Sequence, residues 1–254
     1  MSTIIYPSPI FGPVHSRRLG ISLGINLLPA DGKVCTFDCL YCECGFNGSH
    51  RPTLPLPTRE AVAAALESKL QQMVAQGTIP DVLTFAGNGE PTCHPHFAEI
   101  IDDTIRLRNR FCPQAKVSVL SNATMIDRPG VRAALMLVDN NILKLDTIDE
   151  GFISLIDRPT GSYSVSRTVE LMKSFRGHVI IQTMFLLGKG IDNTTDAYVN
   201  PWLQAVQDIA PQQVMIYTID RETPDQSLRK ASPAILDAIR DRVIAAGIPC
   251  TSSY

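Results

Sequence analysis

The chain has 254 residues, a formal net charge of −2, 44% hydrophobic residues and 19% charged ones. That balance supports a substantial globular core, and the length fits one α/β barrel or two smaller units. It gives no support to a broad phosphate-binding surface, and no run approaches the eighteen consecutive apolar residues of a membrane span.

Residues 1–21 read as an N-terminal extension; Met1–Ile10 has neither a basic start nor a long apolar run, so no secretory leader is expected. Ser22–Leu28 reads as the first strand, followed by Cys35-Thr36-Phe37-Asp38-Cys39-Leu40-Tyr41-Cys42. Seven cysteines, clustered in part, suggest metal before disulfides and a reducing cytoplasm as the compartment. The proline-rich run Arg51–Pro57 reads as a stiff connection. Arg59–Gln76 reads as a helix capped by Thr58 and closed by Gly77, with Val62, Leu66, Leu70 and Met73 as its buried stripe.

Val82–Phe85 is the second predicted strand, and Pro95 opens a helix to about Asn109. Lys116–Leu120, Ile142–Asp146, Val179–Leu186 and Val214–Ile219 read as further strands. Between them fall helices near Val131–Val138, Val165–Phe175 and Trp202–Ile209; Ile235–Ala246 is the last helix, and the tail 248–254 offers an edge strand at Ile248–Ser252. Roughly six βα units of this kind imply α/β architecture with parallel strands and right-handed crossovers. The expectation is one domain over 1–254: a partial (β/α)6 TIM-like barrel over 22–247 with helices outside.

Ligands in such folds gather at the carboxyl ends of the strands. The cysteine loop follows the first strand there, and Gly87-Asn88-Gly89-Glu90-Pro91-Thr92 follows the second. Ser121 and Asn122 end the third strand, Asp146 the fourth, and Tyr217 to Arg221 the sixth. Three thiols can hold three corners of a four-iron, four-sulfur cube and leave one iron open, whereas such clusters are normally closed by four. A four-cysteine zinc site including Cys44 is the alternative, but zinc sites usually draw on two separated pairs. Cys93, Cys112 and Cys250 read as small buried hydrophobes. Lys144 and Asp146 share one strand face; if buried they need partners, in each other, a cofactor or a substrate. Gln182 sits in an apolar strand with the same need. Arg17, Arg18, Arg158, Tyr217 and Arg221 are substrate-side candidates, with a surface salt bridge as the ordinary use of each arginine.

The spacing CxxxCxφC, with Tyr41 as the aromatic, resembles the motif of the radical S-adenosylmethionine (SAM) superfamily. The resemblance implies a single 4Fe–4S cluster on Cys35, Cys39 and Cys42, with SAM chelated to the open iron. It further implies reductive cleavage of SAM to a 5′-deoxyadenosyl radical that abstracts hydrogen from a substrate. In that family a GGE-type turn receives the SAM amino group; here it reads GNGE, with Asn88 for a glycine. The resemblance assigns amino-group binding to Glu90 and backbone shaping to Gly87, Asn88, Gly89 and Pro91. It suggests contacts to SAM from Ser121 and Asn122, which read equally as a simple turn after the third strand, and Tyr41, Lys144, Asp146 and Gln182 are further SAM-side candidates. The segments FGPVHSRRLGISLGINLLP and CLYCECG are similar to a subgroup related to wybutosine-synthesis-type proteins. Partners implied are SAM, an organic, nucleobase or protein substrate, and an electron donor such as flavodoxin or ferredoxin. A zinc- or iron–sulfur-binding regulatory protein without catalytic activity is the alternative; a Rossmann oxidoreductase is disfavoured because no GxGxxG opens the first helix.

Overall fold

The computed structural model describes residues 3–16 and 20–254; Arg17 and Arg18 therefore lie outside the described residues. Strand β1 (Ile10–Ser16) pairs antiparallel with β2 (Gly20–Ile25), so the N-terminal extension itself adds a strand. Helix α1 (Arg59–Ala75) starts where Thr58 Oγ1 accepts the Ala61 N–H at 3.2 Å, and buries Val62, Leu66, Leu70 and Met73. The chain then runs through β3 (Val82–Phe85), α2 (Phe97–Phe111), β4 (Lys116–Ser121), α3 (Pro129–Leu135) and β5 (Asn140–Lys144).

After β5 comes a segment the periodicity does not reveal: α4 (Glu150–Phe152) widens into a π-turn over Ile153–Asp157 and stops at Arg158 in the left-handed region, φ 52°. Helix α5 (Val165–Lys173) and β6 (Ile180–Met184) follow. The predicted strand Val179–Leu186 is divided, because the chain leaves the main sheet after Met184 to form β7 (Leu186–Gly188) against β8 (Ile191–Asp192). Helix α6 (Asp196–Ile209) begins six residues earlier than the sequence suggests and carries Pro201 inside it. Proline there forfeits one backbone bond, but Val199 and Trp202 are buried on the same face and hold the turn in place. The chain closes with β9 (Gln213–Tyr217), β10 (Arg229–Lys230), α7 (Pro233–Ala245) and β11 (Cys250–Ser253).

The main sheet has eight strands in the order β1-β2-β3-β4-β5-β6-β9-β11, and every pairing except β1–β2 is parallel. A second sheet, β10-β7-β8, sits beside it. The largest apolar core lies between the sheet and the helices, including Leu83, Val117, Leu143, Ile181 and Val214 from the strands and Leu66, Ile101, Phe175 and Leu236 from outside. Across the sheet, Ile142, Ile180 and Met215 form a small apolar plug with Leu120. One cavity of about 650 Å³ is lined by residues of both edge strands, Phe11 and Val14 from β1 and Ser253 from β11. The sheet therefore curls around it while its edges stay unpaired: an open, partial α/β barrel. Among the described residues, no helix is long and apolar enough to cross a membrane.

Candidate functional site

The cysteine loop is held from two sides by backbone pairing. On one side Val34 forms a parallel bridge with Gly89: Val34 N–H donates to Asn88 O at 3.0 Å and Glu90 N–H donates to Val34 O at 3.0 Å. That approach requires glycine, since Gly89 has φ +128° and a Cβ there would overlap the Val34 carbonyl oxygen. On the other side Phe37 pairs with Pro159, Thr160 N–H donates to Thr36 O at 2.9 Å, and Leu40 N–H donates to Ile156 O at 2.9 Å. The π-turn and its left-handed stop at Arg158 present these groups. Two motifs distant in sequence thus become one platform at the carboxyl ends of β2, β3 and β5.

The three predicted metal-binding thiols are free of disulfides, as are the other described cysteines. Cys39 is buried beneath the loop, and burial drives its thiol well above the usual range. Burial likewise pushes Cys35 up to about 12; its sulfur accepts the Phe37 N–H at 3.5 Å and lies 3.6 Å from Asn122 Nδ2. Cys42 moves the other way, to about 6, chiefly through its hydrogen bond with Cys44, with Lys33 also favouring the thiolate. Cys44 keeps its proton, held up by that same contact and by burial, and its thiol donates to Gly87 O at 3.3 Å.

Lys33 was not singled out by its sequence context, yet its side chain is only 1% exposed. Its Nζ donates to Gly45 O at 2.7 Å, and its nearest carboxylate, Asp38, stands 3.7 Å away. Burial opposes the ammonium charge, while the neighbouring Cys42, Cys35 and Cys39 favour it, and on balance the lysine is held above its ordinary value. A buried charge needs compensation close by. Three thiolates ligating iron would provide it, so the donor set fits an anionic iron–sulfur centre.

Glu90 is 2% exposed and turned toward the end of β4. Its Oε1 accepts from Thr92 N (3.1 Å), Thr92 Oγ1 (2.5 Å) and Ser121 Oγ (2.8 Å), while Oε2 accepts from Asn122 N at 2.6 Å. Burial raises this carboxyl, and these donors pull it back. Pro91 opens a short 3-10 turn behind it. Asn122 also donates to Thr36 Oγ1 at 2.9 Å, tying β4 to the cysteine loop.

Asn88 is fully buried: its amide donates to Tyr6 O at 2.9 Å and Pro29 O at 2.8 Å and accepts the Tyr6 N–H at 2.8 Å. Asn26 grips the same N-terminal segment at Tyr6 and Pro7.

Lys144 and Asp146 bond each other, the first of the alternatives open in the sequence. Lys144 Nζ also donates to Asp157 Oδ1 at 2.8 Å, and the Tyr41 hydroxyl donates to Asp146 and lies 3.3 Å from Asp157. The Lys144 ammonium stands 5.4 Å from the Phe37 ring centre and 5.5 Å from that of Tyr41. Two buried carboxylates thus share one cation and one hydroxyl, and burial, aided by the Asp146 charge, lifts Asp157 to about 7. Asp157 gives no sign of this role in the sequence, because only the π-turn brings it beside β5.

The 650 Å³ cavity joins Tyr41, Cys42 and Gly87 to Gln182, Tyr217 and Arg221. Leu120, Ile142 and Met215 floor it, and Tyr6 and Phe11 form one wall, with ring centres 4.7 Å apart. Arg221 is bound to Glu43 at 2.7 Å and to the Tyr6 hydroxyl at 3.4 Å, joining the N-terminal segment to the cysteine loop. Arg158 is not part of this wall: it is 43% exposed, 3.6 Å from Asp38 and packed over the Phe46 ring.

Residues 31–199, well over half the chain, match the Radical SAM superfamily family model. A UPF0026 protein of Helicobacter pylori is 33% identical over 194 residues; the match covers 74% of this chain and 58% of that protein, so the chain spans little more than half of that relative's length. The crystal structure of a radical SAM methyltransferase from Sphaerobacter thermophilus superposes with a TM-score of 0.67 at 15% identity, covering 92% of this chain and 66% of the other. Streptococcus suis SuiB bound to S-adenosylmethionine superposes with a TM-score of 0.64, also at 15% identity, over 88% of this chain and 49% of that one. The same partial barrel recurs in both. By the match over its cysteine loop, GNGE turn and following strands, the chain belongs to the radical SAM superfamily.

Proposed function

We propose that the protein is a radical SAM enzyme in which Cys35, Cys39 and Cys42 hold one 4Fe–4S cluster and SAM occupies the adjoining cavity. Such a pairing supplies one-electron reductive cleavage of SAM to a 5′-deoxyadenosyl radical, which takes a hydrogen atom from a substrate. The observation that carries this reading is the platform itself: three free thiols on one loop with a buried lysine on it, Cys42 reaching a cavity at the carboxyl ends of parallel strands.

The chain's own residues then divide the work. Gly87 brings backbone to the cavity wall, while Glu90 acts from behind, fixing the turn against Ser121 and Asn122. Gln182 offers an amide on an otherwise apolar stretch of wall between Ile142 and Met215, suited to a ribose or base edge. The apolar floor excludes water from a reactive intermediate. Tyr217 and Arg221 stand at the substrate side of the cavity. An organic molecule, a nucleobase or a protein segment as substrate, and flavodoxin or ferredoxin as electron donor, complete the proposal.

Anaerobic reconstitution with iron and sulfide, followed by SAM and dithionite, should yield 5′-deoxyadenosine. Cys39→Ala should remove both the cluster absorbance and that product. Product formation by Cys39→Ala at the wild-type rate would overturn the assignment.

A further inference from the structure

We propose that Lys33 sets the reduction potential of the cluster: a buried fixed positive charge against the cysteine loop that stabilises the reduced state. The inference rests on the cluster assignment above and goes beyond it by giving a role to a residue outside the three-cysteine motif.

The geometry separates Lys33 from an ordinary surface lysine. Its backbone is pinned by Lys33 N–H donating to His50 O at 2.7 Å, and its side chain is 1% exposed. The ammonium is anchored on a neutral acceptor, Gly45 O at 2.7 Å, rather than on a carboxylate. Asp38, at 3.7 Å, is beyond hydrogen-bond reach of Nζ and is already committed: its Oδ1 accepts the Asn47 N–H at 2.7 Å, and its Oδ2 lies 3.6 Å from Arg158. The positive charge is therefore held inside the bend of the cysteine loop and only partly cancelled by its own ion pair. Gly45, its anchor, is itself tied back to the loop, its N–H donating to Cys42 O at 2.9 Å.

Reduction adds one electron, and one negative charge, to a cluster held by this loop. A nearby cation lowers the energy of the more negative state by more than that of the oxidised one, and a low local dielectric strengthens the effect. Net charge, hydrogen bonding and solvent exposure are the means by which proteins tune such potentials. Lys33 contributes charge while excluding water. Without it the cluster is harder to reduce, so any donor of given potential loads fewer electrons.

The test is an EPR-monitored redox titration of the anaerobically reconstituted protein without SAM, so that the readout is independent of turnover. Lys33→Met, which keeps the length and packing of the stem, should shift the midpoint to lower potential; Lys33→Arg, which keeps the charge, should stay near wild type. Asp38→Asn, which removes the partial counter-charge and leaves the lysine in place, should shift it upward. The proposal is overturned if loaded Lys33→Met titrates like wild type, or if Lys33→Arg falls as far as Lys33→Met. Should Lys33→Met bind no iron, Lys33→Gln, which keeps a polar stem without the charge, decides: a fall in midpoint supports the role of the lysine charge, and an unmoved midpoint refutes it. Absence of a cluster from the wild-type protein would instead refute the proposed function.

Discussion

Asn88 shows how one residue can depart from a family motif and take on a second task. Its backbone still pairs with Val34, as the turn requires, while its side chain reaches the other way to hold Tyr6 and Pro29 with three hydrogen bonds. Glycine at this position would keep the turn and lose these three bonds, leaving the N-terminal segment to Asn26 and Arg221. Asn88→Ala removes partners from a buried N–H and from carbonyl groups, each of which costs free energy when left unsatisfied. A loss of about 1–3 kcal/mol is expected for the variant, measured by urea denaturation, with Cys35, Cys39 and Cys42 still in place. Retention of full stability would mean that water replaces the amide without cost. Lys33 and Asn88 share a lesson about reading sequence: each looks like a turn residue in its own neighbourhood. Their partners lie at Gly45 and Tyr6, and nothing in local periodicity announces a contact to a distant loop.

At the scale of elements, the clamp of Lys144, Asp146, Asp157 and Tyr41 ties β5, the π-turn and the cysteine loop together. The two carboxylates are buried, and one ammonium serves both. Asp157 therefore has its acidity weakened in the folded state, to about 7, mainly by burial. Because its folded value is raised, the native state holds a proton that the unfolded chain has already lost above about pH 4. Stability from this group is thus fully present below about pH 4 and is lost as pH rises through about 7. Comparing wild type with Asp157→Asn, whose amide cannot ionise, isolates that dependence. Denaturation midpoints of the apoprotein from pH 5 to 8 should show wild type losing ground against the variant as pH rises. A constant difference would place the proton elsewhere in the clamp. The strands and helices that frame this cluster were legible because apolar runs and capping residues such as Thr58 are local signals. The π-turn was not, since its widened geometry is fixed by docking against Thr36, Asp38 and Leu40. The small sheet β10-β7-β8 escaped for a related reason: its strands are two or three residues long, and β10 reaches β7 from far along the chain.

For the molecule as a whole, the open barrel predicts an uneven distribution of stability. Strands β3 to β6 are paired on both sides, and Leu83, Val117, Val119, Leu143 and Ile181 lie fully inside the core. Strand β1 has one partner, a register shift between Phe11 and Val14, and a half-exposed Val14. Little apolar area resists its detachment, and such segments open locally long before the whole fold does. The consequence bears on access. Tyr6, Phe11, Val14 and His15 form one wall of the cavity, so releasing this edge exposes the interior without disturbing the cysteine loop's bridges to Gly89 and Pro159. Native-state hydrogen exchange should therefore find the amides of Val117 to Leu120 exchanging only through global unfolding, and those of His15 and Ser16 through a much cheaper local opening. Asn88→Ala should speed exchange in β1 further while leaving β4 unchanged, because the tether at Tyr6 is weakened and the central pairings are not. If β1 instead exchanged as slowly as β4, the wall would be part of the global folding unit, and entry to the cavity would have to run past Arg221 and Glu43 at the rim.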